Sequence, residues 1–200
     1  MSEESDAIFY FPDCGSERLF SEVGIATLAM LREVGAETVM PPGYRFCGYP
    51  QTAAGLYDRG RLIIIENRML FHRIAITLNY MDIKTVLVSC GTCMDQLLQY
   101  QFEKIFPACR LLDIHEHMME RDVVLDGAQG TEYLFHDLSH TPIQRQVASI
   151  LTGKSVLLSD CRYGEADTLG TSRPDITNQL RFRKSEELNK DIDVLLKKSA

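Results

Sequence analysis

The stretch Lys84-Thr-Val-Leu-Val-Ser-Cys-Gly-Thr-Cys93 decides how this chain is read. Its first five residues form a continuous, mostly β-branched run, the mark of a strand buried on both faces of a parallel sheet. Two cysteines three positions apart follow where that run gives way to an amphipathic segment. They therefore fall at the carboxyl end of the strand and the start of the next helix, the rim where open α/β sheets bind ligands.

Working outward, the same alternation recurs. Ala7-Ile-Phe-Tyr-Phe11 reads as a buried strand, and Pro12-Asp-Cys-Gly-Ser16 as turn chemistry ending in a helix cap. Phe20, Val23, Ile25, Leu28 and Leu31 recur at helical spacing, with Gly35 as the stop. Glu37 to Met40 is a short strand, broken by Pro41-Pro-Gly43 before the loop carrying Cys47. A long helix is expected over Gly60 to Tyr80 and another over Met94 to Ile105. A strand Arg110 to Ile114 and a helix His115 to Arg121 follow.

Beyond a Gly- and Asp-rich connector, Val123 to Gly130, the pattern begins again. Strands are expected at Glu132 to Phe135 and Lys154 to Leu158, with helices at Ile143 to Leu151 and from Arg173-Pro174 towards Lys198. The fold class is α/β: two unequal Rossmann- or flavodoxin-like lobes with parallel sheets, a pseudo-repeat whose second copy is shorter. The lobes are expected over residues 1–128 and 129–200.

The chain has 200 residues, with 28 acidic against 21 basic side chains and a formal charge of −7. That balance argues against a nucleic-acid backbone or an anionic membrane as the main partner. No run of eighteen apolar residues exists, and the acidic, polar start reads as cytoplasmic rather than as a signal peptide. Six cysteines in such a chain point to metal binding, catalysis or buried sulfur before structural disulfides.

Cys14, Cys47, Cys90 and Cys93 each lie in a loop that follows a strand or precedes a helix, and in a parallel sheet such loops share one edge. A four-thiolate set there suits Zn²⁺ or an iron–sulfur cluster, both soft acceptors. Glycines 15, 48 and 91 each follow a cysteine and free the backbone to turn its N–H groups towards sulfur. Two other readings stand beside it. Cys90 and Cys93 alone form a thioredoxin-like dithiol, with the helix start lowering the first thiol's pKa; or several of these residues are inert core sulfur. Cys109, beside Pro107-Ala108 and with no partner nearby, reads as inert.

These residues carry a resemblance. Cys14, then Phe46-Cys47-Gly48, then Cys90-Gly-Thr-Cys93 resembles the motif of the cysteine-rich CCG domain family, found in a subunit of heterodisulfide reductase and in iron–sulfur subunits or domains of FAD-linked lactate and glycolate oxidases. Phe135-His-Asp-Leu-Ser-His-Thr-Pro142 is similar to the family's second motif segment. The resemblance implies a 4Fe-4S cluster on Cys14, Cys47, Cys90 and Cys93, electron transfer as the activity, and a flavin-containing dehydrogenase or other redox subunit as partner, in a homo- or hetero-oligomer. It also carries departures. Phe46 stands where the first cysteine of the Cys-Cys-Gly pair is expected, so four thiols remain where five would hold the family's noncubane, disulfide-cleaving centre. In the second copy Ser139 replaces a cysteine and only Cys161 persists, which implies a site that has lost its metal.

The expected function is thus an iron–sulfur electron-transfer subunit of a flavin-linked oxidoreductase. A structural zinc module and a metal-free dithiol reductase are the alternatives. His136 and His140 beside Asp137, His115 and His117 around Glu116, and Asp160, Glu165 and Asp167 read as solvated or hydrogen-bonding residues before metal ligands.

Overall fold

The structure is a computed structural model and describes residues 7–123, 133–135, 156–158 and 173–198. The chain separates into two compact units, Met1–Asp122 and Val123–Ala200. The first is an α/β unit around a four-stranded, all-parallel sheet: β1 (Ala7–Phe11), β2 (Glu37–Val39), β3 (Thr85–Val88) and β4 (Arg110–Asp113), in the order β2-β1-β3-β4. The helices between them are α1 (Ser21–Glu33), α2 (Tyr49–Ala53), α3 (Tyr57–Thr77), α4 (Gly91–Leu97) and α5 (Ile114–Glu120).

β1 and β3 are central and covered on both faces, which is why they read as unbroken apolar runs. All five residues of β1 are buried, as are Val86, Leu87 and Val88 of β3. Phe9, Phe11, Val86 and Val88 pack into one core with Phe71 of α3 and with Tyr100, Phe102 and Phe106 beyond α4. Phe71 anchors it: its ring stands edge-on to Phe9 at 5.0 Å and stacks on Tyr100 at 6.1 Å. Cys47 and Cys93 belong to the same core.

Departures from the expected elements have local causes. The helix expected over Met94 to Ile105 begins at Gly91 and ends at Leu97, because Gln101 takes a left-handed φ of 52° and leaves two 3₁₀ turns, Leu98–Tyr100 and Phe102–Lys104. α3 starts at Tyr57 and stops at Thr77, followed by a 3₁₀ turn at Asn79–Met81. α1 stops before Gly35 as expected but starts at Ser21, after a π-helical turn at Gly15–Leu19, and it buries only part of its apolar stripe: Val23 and Ile25 are exposed, as is Phe20 just ahead of it, while Leu31 is buried together with Thr27.

In the second unit β5 (Tyr133–Phe135) and β6 (Val156–Leu158) pair in parallel, and α6 runs from Pro174 to Lys198. The remaining second-lobe expectations, Cys161, His136, Asp137, Ser139, His140, Asp160, Glu165 and Asp167 among them, lie outside the described residues. No helix among the described residues is long and apolar enough to cross a membrane.

Truncating Phe71 removes the ring shared by the β1 strand and the α4 region. Phe71→Ala is expected to cost about 3–5 kcal/mol, as for other large core truncations. A denaturant titration of the two proteins measures it, and a loss below about 1 kcal/mol contradicts the central placement of this ring.

Candidate metal centre

The strand order fixes where the cysteine loops meet. The chain leaves β1 for β2 on one side and, after α2 and α3, returns to β3 on the other. The loops after β1 and β3 therefore diverge at the carboxyl edge and leave a crevice between them, the switch point of such a sheet. Cys14 follows β1, Cys90 and Cys93 follow β3, and Cys47 arrives on the crossover between β2 and α2.

Each loop is tied down by a buried polar group. Asp13 accepts from the Ser16 N–H at 2.8 Å and the Ser16 hydroxyl at 2.6 Å, which shapes the turn around Cys14. The same carboxylate accepts from the Ser89 hydroxyl at 2.8 Å, and Ser89 in turn meets the Tyr10 hydroxyl at 3.0 Å. Asp13 thus joins the loop of Cys14 to the loop of Cys90.

The Cys47 loop is held from below by Asn67, buried in α3. Its side-chain oxygen accepts from the Arg45 N–H at 2.7 Å, while its amide nitrogen reaches the carbonyls of Arg45 at 2.7 Å and Phe46 at 3.1 Å. That nitrogen also donates to the Tyr100 hydroxyl at 3.0 Å, and Tyr100 donates to the Cys47 carbonyl at 3.0 Å. Gly48 completes the loop with a left-handed φ of 91°. A Cβ there would meet the Gly60 carbonyl at 3.0 Å, so the residue after Cys47 has to be glycine on both counts.

Two of the four thiols meet directly. Cys93 Sγ lies 3.4 Å from Cys47 Sγ and donates to it, and Cys93 also hydrogen-bonds Cys90. Cys14 is near enough for the charges of Cys47 and Cys90 to act on it. Cys47 and Cys93 are buried; Cys14 and Cys90 are half-buried. Cys109 precedes β4 at the opposite, amino-terminal edge, where burial pushes its thiol up to about 11.

The thiols differ in acidity. The Cys93 hydrogen bond holds Cys90 below its ordinary range, helped by the backbone N–H groups of Cys93 and Thr92 and opposed by burial. Cys93 is pushed far up by its bonds to Cys47 and Cys90, then by burial, so it is the sulfur that keeps its proton. Cys14 is raised by burial and then by the charges of Cys47, Asp13 and Cys90. One S–H proton facing two sulfurs is what a soft cation replaces when it binds thiolates.

Among the described residues, no group of three or more histidine, cysteine, aspartate or glutamate side chains is close enough together to hold a metal ion, so the four cysteines are not gathered into one ligand set here. The donor chemistry fits a thiophilic metal: Cys47 and Cys93 present sulfur to each other, and Cys14 and Cys90 stand on loops of the same sheet edge. The spacing is tight, however. A Zn–S bond of about 2.3 Å gives a tetrahedron edge of about 3.8 Å, and the Cys47–Cys93 separation of 3.4 Å is shorter. Binding therefore requires Cys93 to lose its proton and the two sulfurs to part.

His115 and His117 are not with the thiols in this network. The backbone N–H and ring Nδ1 of His115 meet Asp113, the cap of α5, at 2.9 and 2.7 Å, while His117 is buried in α5. Asp13, Asn67, Ser89 and Tyr100 carry no motif. Only the polar character of Asn67 inside an otherwise helical apolar pattern marks it in the sequence.

A subunit of fumarate reductase (CoM/CoB) from Methanothermobacter marburgensis is similar to this chain, at 24% identity over 201 residues. The alignment takes in 94% of this chain and 39% of that protein, so the chain spans about two fifths of the length of its curated relative. No model of a protein family matches the chain, and no solved structure does.

The loop network and the thiol acidities can each be tested. Tyr100→Phe leaves the buried Cys47 carbonyl short of a donor while Asn67 keeps its two backbone acceptors, an expected loss of about 1–3 kcal/mol. Combining it with Asn67→Leu should cost less than the two single losses together, because both act on one loop; strict additivity in denaturant titrations contradicts a shared network. In metal-free, reduced protein the thiolate fraction of Cys90 rises at lower pH than that of Cys14, since one pKa lies below and the other above the ordinary value of 9.0. Iodoacetamide labelling followed by peptide mass spectrometry should show the Cys90 rate climbing first as pH is raised, and the reverse order refutes the assignment.

Proposed function

We propose that this chain is a redox subunit or domain in which Cys14, Cys47, Cys90 and Cys93 hold a 4Fe-4S cluster that passes electrons to or from a flavin-containing partner in the cytoplasm. The observation that carries the reading is the 3.4 Å approach of the Cys47 and Cys93 sulfurs from two loops at the carboxyl edge of one parallel sheet, with Cys14 and Cys90 on loops of the same edge. The similarity to a fumarate reductase subunit supports a place in a multi-subunit redox assembly.

A bound cluster supplies one-electron transfer, with a potential set by its thiolates, nearby N–H groups and burial. The chain's own groups do the rest. Asn67 and Tyr100 hold the Cys47 loop against the core, Asp13 fastens the Cys14 and Cys90 loops together, and the N–H groups of Thr92 and Cys93 point charge at the Cys90 sulfur. Hydride chemistry belongs to the flavin of the partner.

A second reading, structural zinc, is favoured by one distance. The 3.4 Å between Cys47 and Cys93 is closer to the edge of a single-metal tetrahedron than to the spread of thiolates bound to four separate irons.

Protein prepared without oxygen separates the readings. The proposal expects a brown sample with about four iron and four sulfide per chain, whereas a colourless sample with about one zinc supports the second reading. Metal-free protein that reduces disulfides through Cys90 and Cys93 sinks both. Cys14→Ala and Cys47→Ala should each lower bound metal, with Cys109→Ala leaving it unchanged. Unaltered metal in either of the first two variants removes that residue from the ligand set.

A further inference from the structure

The crevice beyond the carboxyl ends of β1 and β2 contains a cavity of about 570 Å³. Small-molecule sites usually occupy about 300–1,000 Å³. Its walls are mostly apolar, formed by Ile25 and Leu28 of α1 and by Met40 and Pro41 after β2. Ile25 is 67% exposed and Met40 49%, so apolar surface is left uncovered at its rim. This is where part of the unburied stripe of α1 faces.

The polar end of the cavity is rich in acceptors. The Tyr44 hydroxyl lies 2.9 Å from the Pro12 carbonyl and 2.9 Å from Glu17 Oε2. Both neighbours are acceptors, and one O–H proton cannot satisfy both. Burial, and then the Glu17 carboxylate, push the Tyr44 phenol well above its ordinary value, so it does not become a further anion there. No lysine, arginine or histidine is among the described residues that line the cavity. An anionic ligand would meet Glu17 without a counter-charge, whereas a ligand ammonium group pairs with the carboxylate and donates to the Pro12 carbonyl beside it.

We infer that this cavity binds a small molecule with an apolar body and a primary amine, its ammonium group on Glu17 and the Pro12 carbonyl and its body between α1 and the Met40–Pro41 wall. The inference rests on the cavity's own chemistry and not on the metal reading. It has a consequence for the thiols all the same. Glu17 stands three residues after Cys14, and Tyr44, hydrogen-bonded to it, three before Cys47, so an occupant rests beside both loops.

The test is a titration of the full chain, followed by ¹H–¹⁵N NMR, with 4-phenylbutylamine and separately with 4-phenylbutyrate, which has a similar apolar body and the opposite charge. The amine should shift the amides of Gly24, Ile25 and Gly43 saturably, and the carboxylate should leave them in place. Glu17→Gln is expected to weaken the amine at least about tenfold, the effect of one lost charge-assisted bond. Ile25→Arg, a change at an exposed rim position, should abolish binding while the rest of the spectrum stays folded. Equal shifts by both compounds, amine shifts confined to other surfaces, no saturable binding, or an affinity indifferent to Glu17→Gln each overturn the inference.

Discussion

The parallel pairing of β1 with β3 is the constraint on which the rest of the first unit depends. With Phe9 beside Val86 and Phe11 beside Val88, the two strands end at the same level. Their following loops then have nowhere to go but apart, one towards α1 and one into α4. Everything chemical in this unit is built in and around the gap that results. Had β2 been inserted between β1 and β3, Cys14 and Cys90 would stand two strand spacings apart, about 9–10 Å, and the Asp13–Ser89 bond of 2.8 Å would be out of reach.

The gap is lined by buried polar groups, and their placement is economical in one specific sense. Asp13 is 6% exposed and Asn67 1%, and unsatisfied they would each destabilise the fold. Each instead takes its partners from a cysteine loop. Asp13 bonds Ser16 and Ser89; Asn67 bonds the backbone of Arg45 and Phe46 and the hydroxyl of Tyr100. Fixing these groups and fixing the sulfurs are therefore one event. Removing a partner loosens a thiol position and strands a buried polar atom together.

How legible the fold is in the sequence follows from the kind of signal each element leaves. Buried parallel strands leave continuous apolar runs, so β1, β3 and the crossovers between them can be read from residues such as Phe9, Val86 and Leu87. The rim position of Cys14, Cys47, Cys90 and Cys93 follows from that reading. The partners of the loops do not, because Asp13, Asn67 and Tyr100 act across separations of up to 76 residues and have no fixed spacing. Helix phase fails for a related reason. The π turn at Gly15–Leu19 is an irregularity that period counting misses, and Phe20, Val23 and Ile25 are exposed where a core face is expected. Likewise the break after Leu97 comes from the left-handed Gln101, a conformation that glutamine does not announce.

Phe46 is where the motif and the loop network meet. It occupies the position where the resemblance to the CCG family calls for another cysteine, and the structure gives it a different task. Its carbonyl accepts from Asn67 at 3.1 Å, and its ring carries the Arg18 guanidinium 5.0 Å above its centre. Arg18 belongs to the π turn that follows Cys14, so this cation–π contact bridges the Cys14 and Cys47 loops on their outer side, as Asp13 and Ser89 bridge those of Cys14 and Cys90. A contact of this kind contributes about 0.5–1 kcal/mol at an exposed site. A fifth thiol here would add an ionisable, thiophilic group beside sulfurs whose charges already oppose one another at Cys14. The phenyl ring adds none. At this position the side chain thus braces two cysteine loops and adds no further sulfur between them.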